Sequence, residues 1–230
     1  MALPTITVPE FDLQVPGIKN SIKFRPFLVR ESKILTLALE GGEVEDQVKA
    51  IQQVVDNCSF GKLNVKKLPL YQLQWIFLKL KAKSVGNTQD FILTCGNCEN
   101  KINYTMNIDD FKIIGNTDVS SKKIEINEST GIVFKYPPAD VQASSNNVED
   151  DILIMNCIEY IYDEEEIIKA EDISSEELIE WLDTLPLEIT QKIGSFFEEM
   201  PLMGHIVEYK CNECEKENKV AINGYEHFFV

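Results

Sequence analysis

The sequence predicts an α+β fold, with short strands gathered around two cysteine turns and helical segments lying before and between them. Three observations predict it. Cys95-Gly-Asn-Cys98 and Cys211-Asn-Glu-Cys214 are two Cys-x-x-Cys pairs, and each runs into a strand-like stretch, Ile102-Asn-Tyr-Thr105 and Lys219-Val-Ala-Ile222. Apolar residues recur at helical spacing both upstream of the first pair and in the long interval between the pairs. Glycine and proline clusters punctuate these segments and keep each of them short.

Residues 1–20 read as an extended N-terminal arm, because Pro4, Pro9 and Pro16 interrupt alternating residues such as Thr5-Ile-Thr-Val8, and proline fixes φ while removing a ladder donor. Such an arm lies along its own domain or reaches a neighbour. Residues 21–90 read as a strand plus helical segment. Ser21-Ile-Lys-Phe-Arg-Pro26 alternates, and Val29–Glu40 is helical up to Gly41-Gly42. A second helix places Val44, Val48, Ile51, Val54, Val55 and Cys58 on one stripe, so Cys58 reads as a small buried hydrophobe. Leu68-Pro69 opens a third helix, Leu70–Lys83, whose Trp75, Ile76 and Phe77 mark core packing, and Ser84-Val-Gly86 ends it.

The first cysteine turn and its sheet occupy 91–138, with strands at Ile124–Ile126 and Ile132–Tyr136 around Glu128-Ser-Thr-Gly131 and a stop at Pro137-Pro138. Residues 139–200 form an acidic helical insertion. In it Ala139–Asn147 reads as a polar linker, Asp150–Tyr162 as a helix, and Ser174-Ser-Glu-Glu177 as a capping box. Pro186 then opens a last helix that runs to about Met200. The run Asp163-Glu-Glu-Glu166 lacks the spacing of a calcium loop and reads as solvated. Residues 201–230 hold the second cysteine turn and the C-terminal strands.

Four thiolates on two such turns match the ligand set of a tetrahedral zinc ribbon, with Cys95, Cys98, Cys211 and Cys214 as ligands and one structural Zn²⁺ per chain. The formal charge of −2 on that cluster could be offset in part by Lys101, Lys210 and Lys216. Redox use fits less well, since neither pair opens a helix that would lower a thiol pKa. Disulfides suit exported chains, and Met1-Ala-Leu-Pro-Thr5 does not open a signal peptide. An iron–sulfur cluster is a further alternative. Both histidines, His205 and His227, flank the second pair; the four cysteines already complete a set, so both read as structural or surface residues.

At 230 residues and 44% hydrophobic content the chain can bury a substantial core. No apolar run approaches the roughly 18 residues of a membrane span, so no membrane insertion is expected. The net charge is −16; bases nearly balance acids up to residue 134, and acids greatly outnumber them beyond it. That excludes nucleic-acid binding through the C-terminal part, which lacks the basic surface that phosphate contact requires. It leaves solvated helix faces, or docking onto a basic partner. Phosphate-binding loops, nucleophile elbows and His-Glu-x-x-His are all absent, so nothing marks the chain as an enzyme.

Ile22-Lys-Phe-Arg-Pro-Phe-Leu-Val-Arg-Glu-Ser-Lys-Ile-Leu35, followed by Lys83-Ser-Val-Gly86 before Cys95 and by Lys135-Tyr-Pro137, resembles the baseplate hub proteins of T4-like bacteriophages over about the first 140 residues. The resemblance implies a non-enzymatic structural subunit of a contractile tail's baseplate hub. Its partners would be other hub and tail proteins, its assembly would take place in the host bacterial cytoplasm, and its final location would be the virion. An assembly chaperone not retained in the mature virion is the alternative, and a tail-associated cell-wall hydrolase is less favoured. Contact with neighbours is expected through the arm and Phe24-Arg-Pro-Phe-Leu-Val-Arg30, with Arg25 and Arg30 seeking carboxylates. The same segment also reads as a strand-to-helix junction that packs Phe24 and Phe27 into the chain's own core.

Overall fold

The computed structural model describes residues 4, 6–115, 117, 121–144 and 150–224. Helices and small antiparallel sheets alternate in an α+β arrangement. The chain forms two compact units, one of Met1–Val65, Tyr71–Ile114 and Leu202–Val230, the other of Lys66–Leu70 and Gly115–Pro201.

The first unit begins with β1 (Phe11–Leu13), which the sequence does not announce, antiparallel to β2 (Ile22–Phe24), the strand expected within Ser21–Pro26. Phe11 lies opposite Phe24 and their rings stack at 6.2 Å, which buries Phe24 completely. Helix α1 (Val29–Gly41) stops where Gly42 adopts φ +78°, and the Gly42 N–H donates to the Leu39 carbonyl. Only glycine enters that region without a Cβ penalty.

In α2 (Val44–Cys58) the predicted stripe is buried beyond its first turn: Val48, Ile51, Val54, Val55 and Cys58 are fully enclosed, whereas Val44 is 41% exposed. Burial pushes the Cys58 thiol up to about 11, as expected for an inert core residue. Helix α3 (Leu70–Ser84) buries Leu73, Ile76, Phe77 and Leu80, and Phe27 stacks against Phe77 at 6.3 Å. A hairpin follows, β3 (Thr88–Thr94) with β4 (Lys101–Asn107), and then the short β5 (Lys112–Ile114).

The second unit holds a four-stranded antiparallel sheet in the order β6 (Ser121–Glu125), β7 (Gly131–Lys135), β8 (Ile158–Tyr162), β9 (Ile167–Lys169). Two of its helices, α4 (Ala139–Ser144) and α5 (Asp150–Cys157), intervene before β8; α6 (Ser175–Leu182) and α7 (Leu187–Glu198) follow β9. Ile132, Phe134, Ile158, Leu178, Ile193 and Phe196 meet in its core, with Phe134 and Phe196 at 5.4 Å. Ser174 caps α6 through the predicted box with Glu177.

Two expectations for this region are corrected. The predicted helix over 150–162 ends at Cys157, because Ile158-Glu-Tyr-Ile-Tyr162 is paired on one side by β7 and on the other by β9; ladder formation on both edges outweighs a weak local helical preference. The linker expected from Ala139 is helical to Ser144, and its end at 145–147 lies outside the described residues. Asp163–Glu166 forms the exposed turn between β8 and β9, where the Asp163 carboxylate accepts the N–H groups of Glu165 and Glu166. Those bonds hold its pKa below the usual carboxylate value.

The chain then returns to the first unit as β10 (Leu202–Lys210), which pairs with β5 on one side and with β11 (Glu217–Asn223) on the other. This return brings the second cysteine turn beside the first.

Candidate metal centre

Each cysteine turn closes the end of a hairpin, and the two are built alike. The Cys95 N–H donates to the Asn100 carbonyl at 2.9 Å and the Cys211 N–H to that of Lys216 at 2.9 Å. One residue past each second cysteine the backbone turns left-handed, at Glu99 (φ 58°) and Glu215 (φ 57°), and the Glu99 and Glu215 N–H groups donate back to the Cys95 and Cys211 carbonyls. A side chain at such a φ costs about 1–2 kcal/mol. Glu99→Gly is therefore expected to leave the protein as stable or about 0.5–1 kcal/mol more so, and Glu99→Val to lose about 1–2 kcal/mol, as measured by urea unfolding.

The four sulfurs of Cys95, Cys98, Cys211 and Cys214 lie within 4.8 Å of one another. The contacts cross between turns: Cys95 to Cys214 is 3.7 Å and Cys98 to Cys211 is 3.6 Å. A tetrahedron with Zn–S bonds of about 2.3 Å has sulfur edges of about 3.8 Å, so these residues fit such an ion. Cys95 and Cys211 are enclosed, Cys214 is partly so, and Cys98 is exposed.

Backbone amides prepare the sulfurs for the thiolate form. Those of Asn97 and Cys98 hold the Cys95 thiol down to about 6, and those of Cys214 and Glu213 hold Cys211 below its ordinary value. At Cys98 the Asn100 amide acts in the same direction, but burial and the neighbouring thiols of Cys214, Cys211 and Cys95 outweigh it and push the group up to about 12. Four such groups crowded together cannot all ionise without a compensating cation.

Polar side chains also join the two turns. The Gly96 N–H donates to Asn218 Oδ1 at 3.0 Å, Asn100 Nδ2 to Asn212 Oδ1 at 2.7 Å, Lys216 Nζ to Asn97 Oδ1 at 2.8 Å, and the Tyr209 hydroxyl to the Thr94 carbonyl at 3.0 Å. The asparagines escaped the sequence reading, although their density within and beside both turns is visible there. Of the three lysines considered as counter-charges, Lys216 bridges to Asn97 and Lys210 pairs with Glu215 at 3.3 Å.

The other candidates separate cleanly. Cys58 and Cys157 are buried cores of different elements and not members of the cluster, and burial pushes Cys157 up to about 12. His205 sits in β10 against Phe111, its ring 6.1 Å away, and is not in the sulfur group. His227 lies outside the described residues.

The Phe24–Arg30 segment corrects one expectation. Arg25 is buried and its carboxylate partner is internal: Nη2 lies 3.0 Å from Glu31 Oε1 and Nη1 3.3 Å from Oε2. Phe24 and Phe27 pack inside the chain, which leaves Val29 and Arg30 as the exposed residues of that stretch.

The model of the family described as T4 bacteriophage base plate protein matches residues 8–230, nearly the whole chain. The chain belongs to that family. No curated protein and no solved structure gives a significant match. The family match covers both cysteine pairs of the base plate protein and the insertion between them. No helix among its described residues is long and apolar enough to cross a membrane.

Proposed function

We propose that this base plate protein is a non-catalytic component of the tail's baseplate hub that works by presenting shaped surfaces, with one structural Zn²⁺ held by Cys95, Cys98, Cys211 and Cys214. The observation that carries the reading is the crossed sulfur cluster in a chain of the base plate family. Four protein ligands leave no open position for a substrate or an activated water, so a metal there acts as a cross-link. It would tie the β3–β4 hairpin to the β10–β11 hairpin, the two ends of a unit interrupted by a separately folded insertion. Assembly in a reducing host cytoplasm suits this chemistry, because thiols there stay available to metal.

The acidic excess beyond residue 134 favours a second reading, an assembly chaperone that shields basic hub components and is absent from the finished particle. Quantitative mass spectrometry of purified virions decides between them. A fixed stoichiometric copy number is the expected result; absence from virions holding complete hubs would establish the chaperone instead. Failure to clear peptidoglycan in a gel assay is expected, and clearing that depends on an acid of this chain would replace both readings with a hydrolase. Elemental analysis of protein purified under reducing conditions should find about one zinc per chain.

A further inference from the structure

An open groove of 820 Å³ in the first unit is lined by Thr88–Thr94 of β3 and by Val220, Ala221 and Ile222 of β11. Both strands are sheet edges: β3 pairs only with β4, and β11 only with β10, among the described residues. They run in opposite directions from the cysteine turns, β3 toward its turn and β11 away from its own. The groove is therefore flanked by two strand edges that no described strand pairs with, beyond being an apolar cleft.

The hydrogen-bond register shows which backbone groups turn toward it; of these the Asp90 carbonyl accepts from Gln89 Nε2 at 3.2 Å. The Cys95 N–H bonds Asn100 and the Ile108 N–H bonds Asn87, so antiparallel alternation turns the N–H and C=O of Thr88, Asp90 and Ile92 away from β4. The Thr94 carbonyl points the same way and accepts from Tyr209. On β11 the bonds Cys211 to Lys216 and Gly224 to Met203 turn those of Lys219, Ala221 and Asn223 away from β10. Edges of this kind are templates for an added strand. The β3 edge is seven residues long, about 20 Å at the usual strand rise. Asp90 is the one charged residue among those that line the groove, and Phe91, Ile92, Leu93, Val220, Ala221 and Ile222 supply its apolar surface. Ile92, 69% exposed, adds an apolar side chain to the lining of this groove.

The occupant must be extended, uncharged and rich in β-branched residues, and the chain carries such a segment. Thr5-Ile-Thr-Val8 lies between Pro4 and Pro9, which delimit a short strand. Residues 6–10 belong to no helix or strand, Ile6 is 83% exposed, and none of residues 6–10 lines its own chain's groove. Only Pro9 and Glu10 separate Val8 from β1, which is fixed on β2. We propose that two copies of this protein associate by strand exchange, the Thr5–Val8 segment of one copy entering the β3/β11 groove of another and joining the two hairpins into a continuous sheet.

Sedimentation across a wide concentration range tests this. The full chain should show a concentration-dependent dimer or higher assembly that is lost in a chain lacking residues 2–10 and in the Ile6→Lys, Val8→Lys double variant. The latter changes only exposed or half-buried positions, so it keeps the fold intact as a control. A synthetic peptide of residues 4–10, titrated into the truncated chain, should shift the amide resonances of Thr88–Thr94 and Val220–Ile222. A full chain that stays monomeric at every concentration would overturn the proposal, even where the peptide binds, since the segment would then serve its own groove. Self-association that survives truncation, or peptide shifts elsewhere than these strands, would overturn it equally.

Discussion

Replacing Cys95 or Cys211 with serine is expected to abolish zinc retention and to lower Tm by on the order of 10–20 °C, with the two variants alike. The argument rests on topology. The two hairpins belong to one unit but lie at opposite ends of a long insertion, so their meeting closes a large loop, and a metal bridging them removes the entropy that an open loop would regain. The polar bonds through Asn97, Asn100, Asn212 and Asn218 are mostly exposed and could not replace it. Structural zinc supplies on the order of 10–16 kcal/mol in small peptides, against the 5–15 kcal/mol that holds a typical domain together. Chelation of the wild type should reproduce the serine variants, and the variants should no longer respond to chelator. Cys58→Ala gives the contrast: it trims one buried sulfur from α2 and should cost about 1 kcal/mol while leaving zinc content unchanged. A Cys58 variant as damaging as Cys95→Ser, measured by calorimetry with zinc quantified in parallel, would remove the distinction between structural and ligating cysteines.

Local sequence signals identified what depends on local chemistry. The α2 stripe, the Ser174 capping box and both cysteine turns were legible because each is written within a few residues. Pairing partners were not. Ile158–Tyr162 looks helical alone and becomes a strand only because β7 and β9 stand on either side of it, and Phe11–Leu13 becomes a strand because Phe24 gives Phe11 a face to cover. That four cysteines would cluster could be read from spacing, whereas the crossed geometry, Cys95 against Cys214 and Cys98 against Cys211, depends on how β10 returns beside β3 and β4. The two readings of the Arg25 segment, docking contact or internal junction, are separated for a similar reason. A surface-type residue next to proline suggests a docking contact, and only the three-dimensional placement of Glu31 at the start of α1 shows where its charge goes.

That placement makes Glu31→Gln the second variant with a large expected effect, a loss of about 3–5 kcal/mol in urea unfolding, because it leaves the Arg25 guanidinium buried without a counter-charge. The Glu31 side chain is fully enclosed and accepts from Arg25 Nη2 at 3.0 Å, from Arg30 Nε at 2.7 Å and from the Leu28 N–H at 2.8 Å. It thereby ties the end of β2 to the first turn of α1. Burial by itself would raise its pKa, but the bonds from Arg25, Arg30 and Leu28 outweigh burial and hold it down to about 2. A carboxylate whose folded pKa lies below its unfolded value stabilises the protein fully above the unfolded pKa of about 4.3, and the contribution fades as pH falls toward the folded value. The stability difference between wild type and Glu31→Gln should therefore be constant near neutrality and shrink between about pH 4.5 and pH 2. Replacing Arg25 and Glu31 together by Met and Leu should cost less than Glu31→Gln alone, since the double change removes the pair without stranding a charge. A difference between wild type and Glu31→Gln that grows on acidification would mean that this carboxylate is not the anchor of the β2–α1 junction.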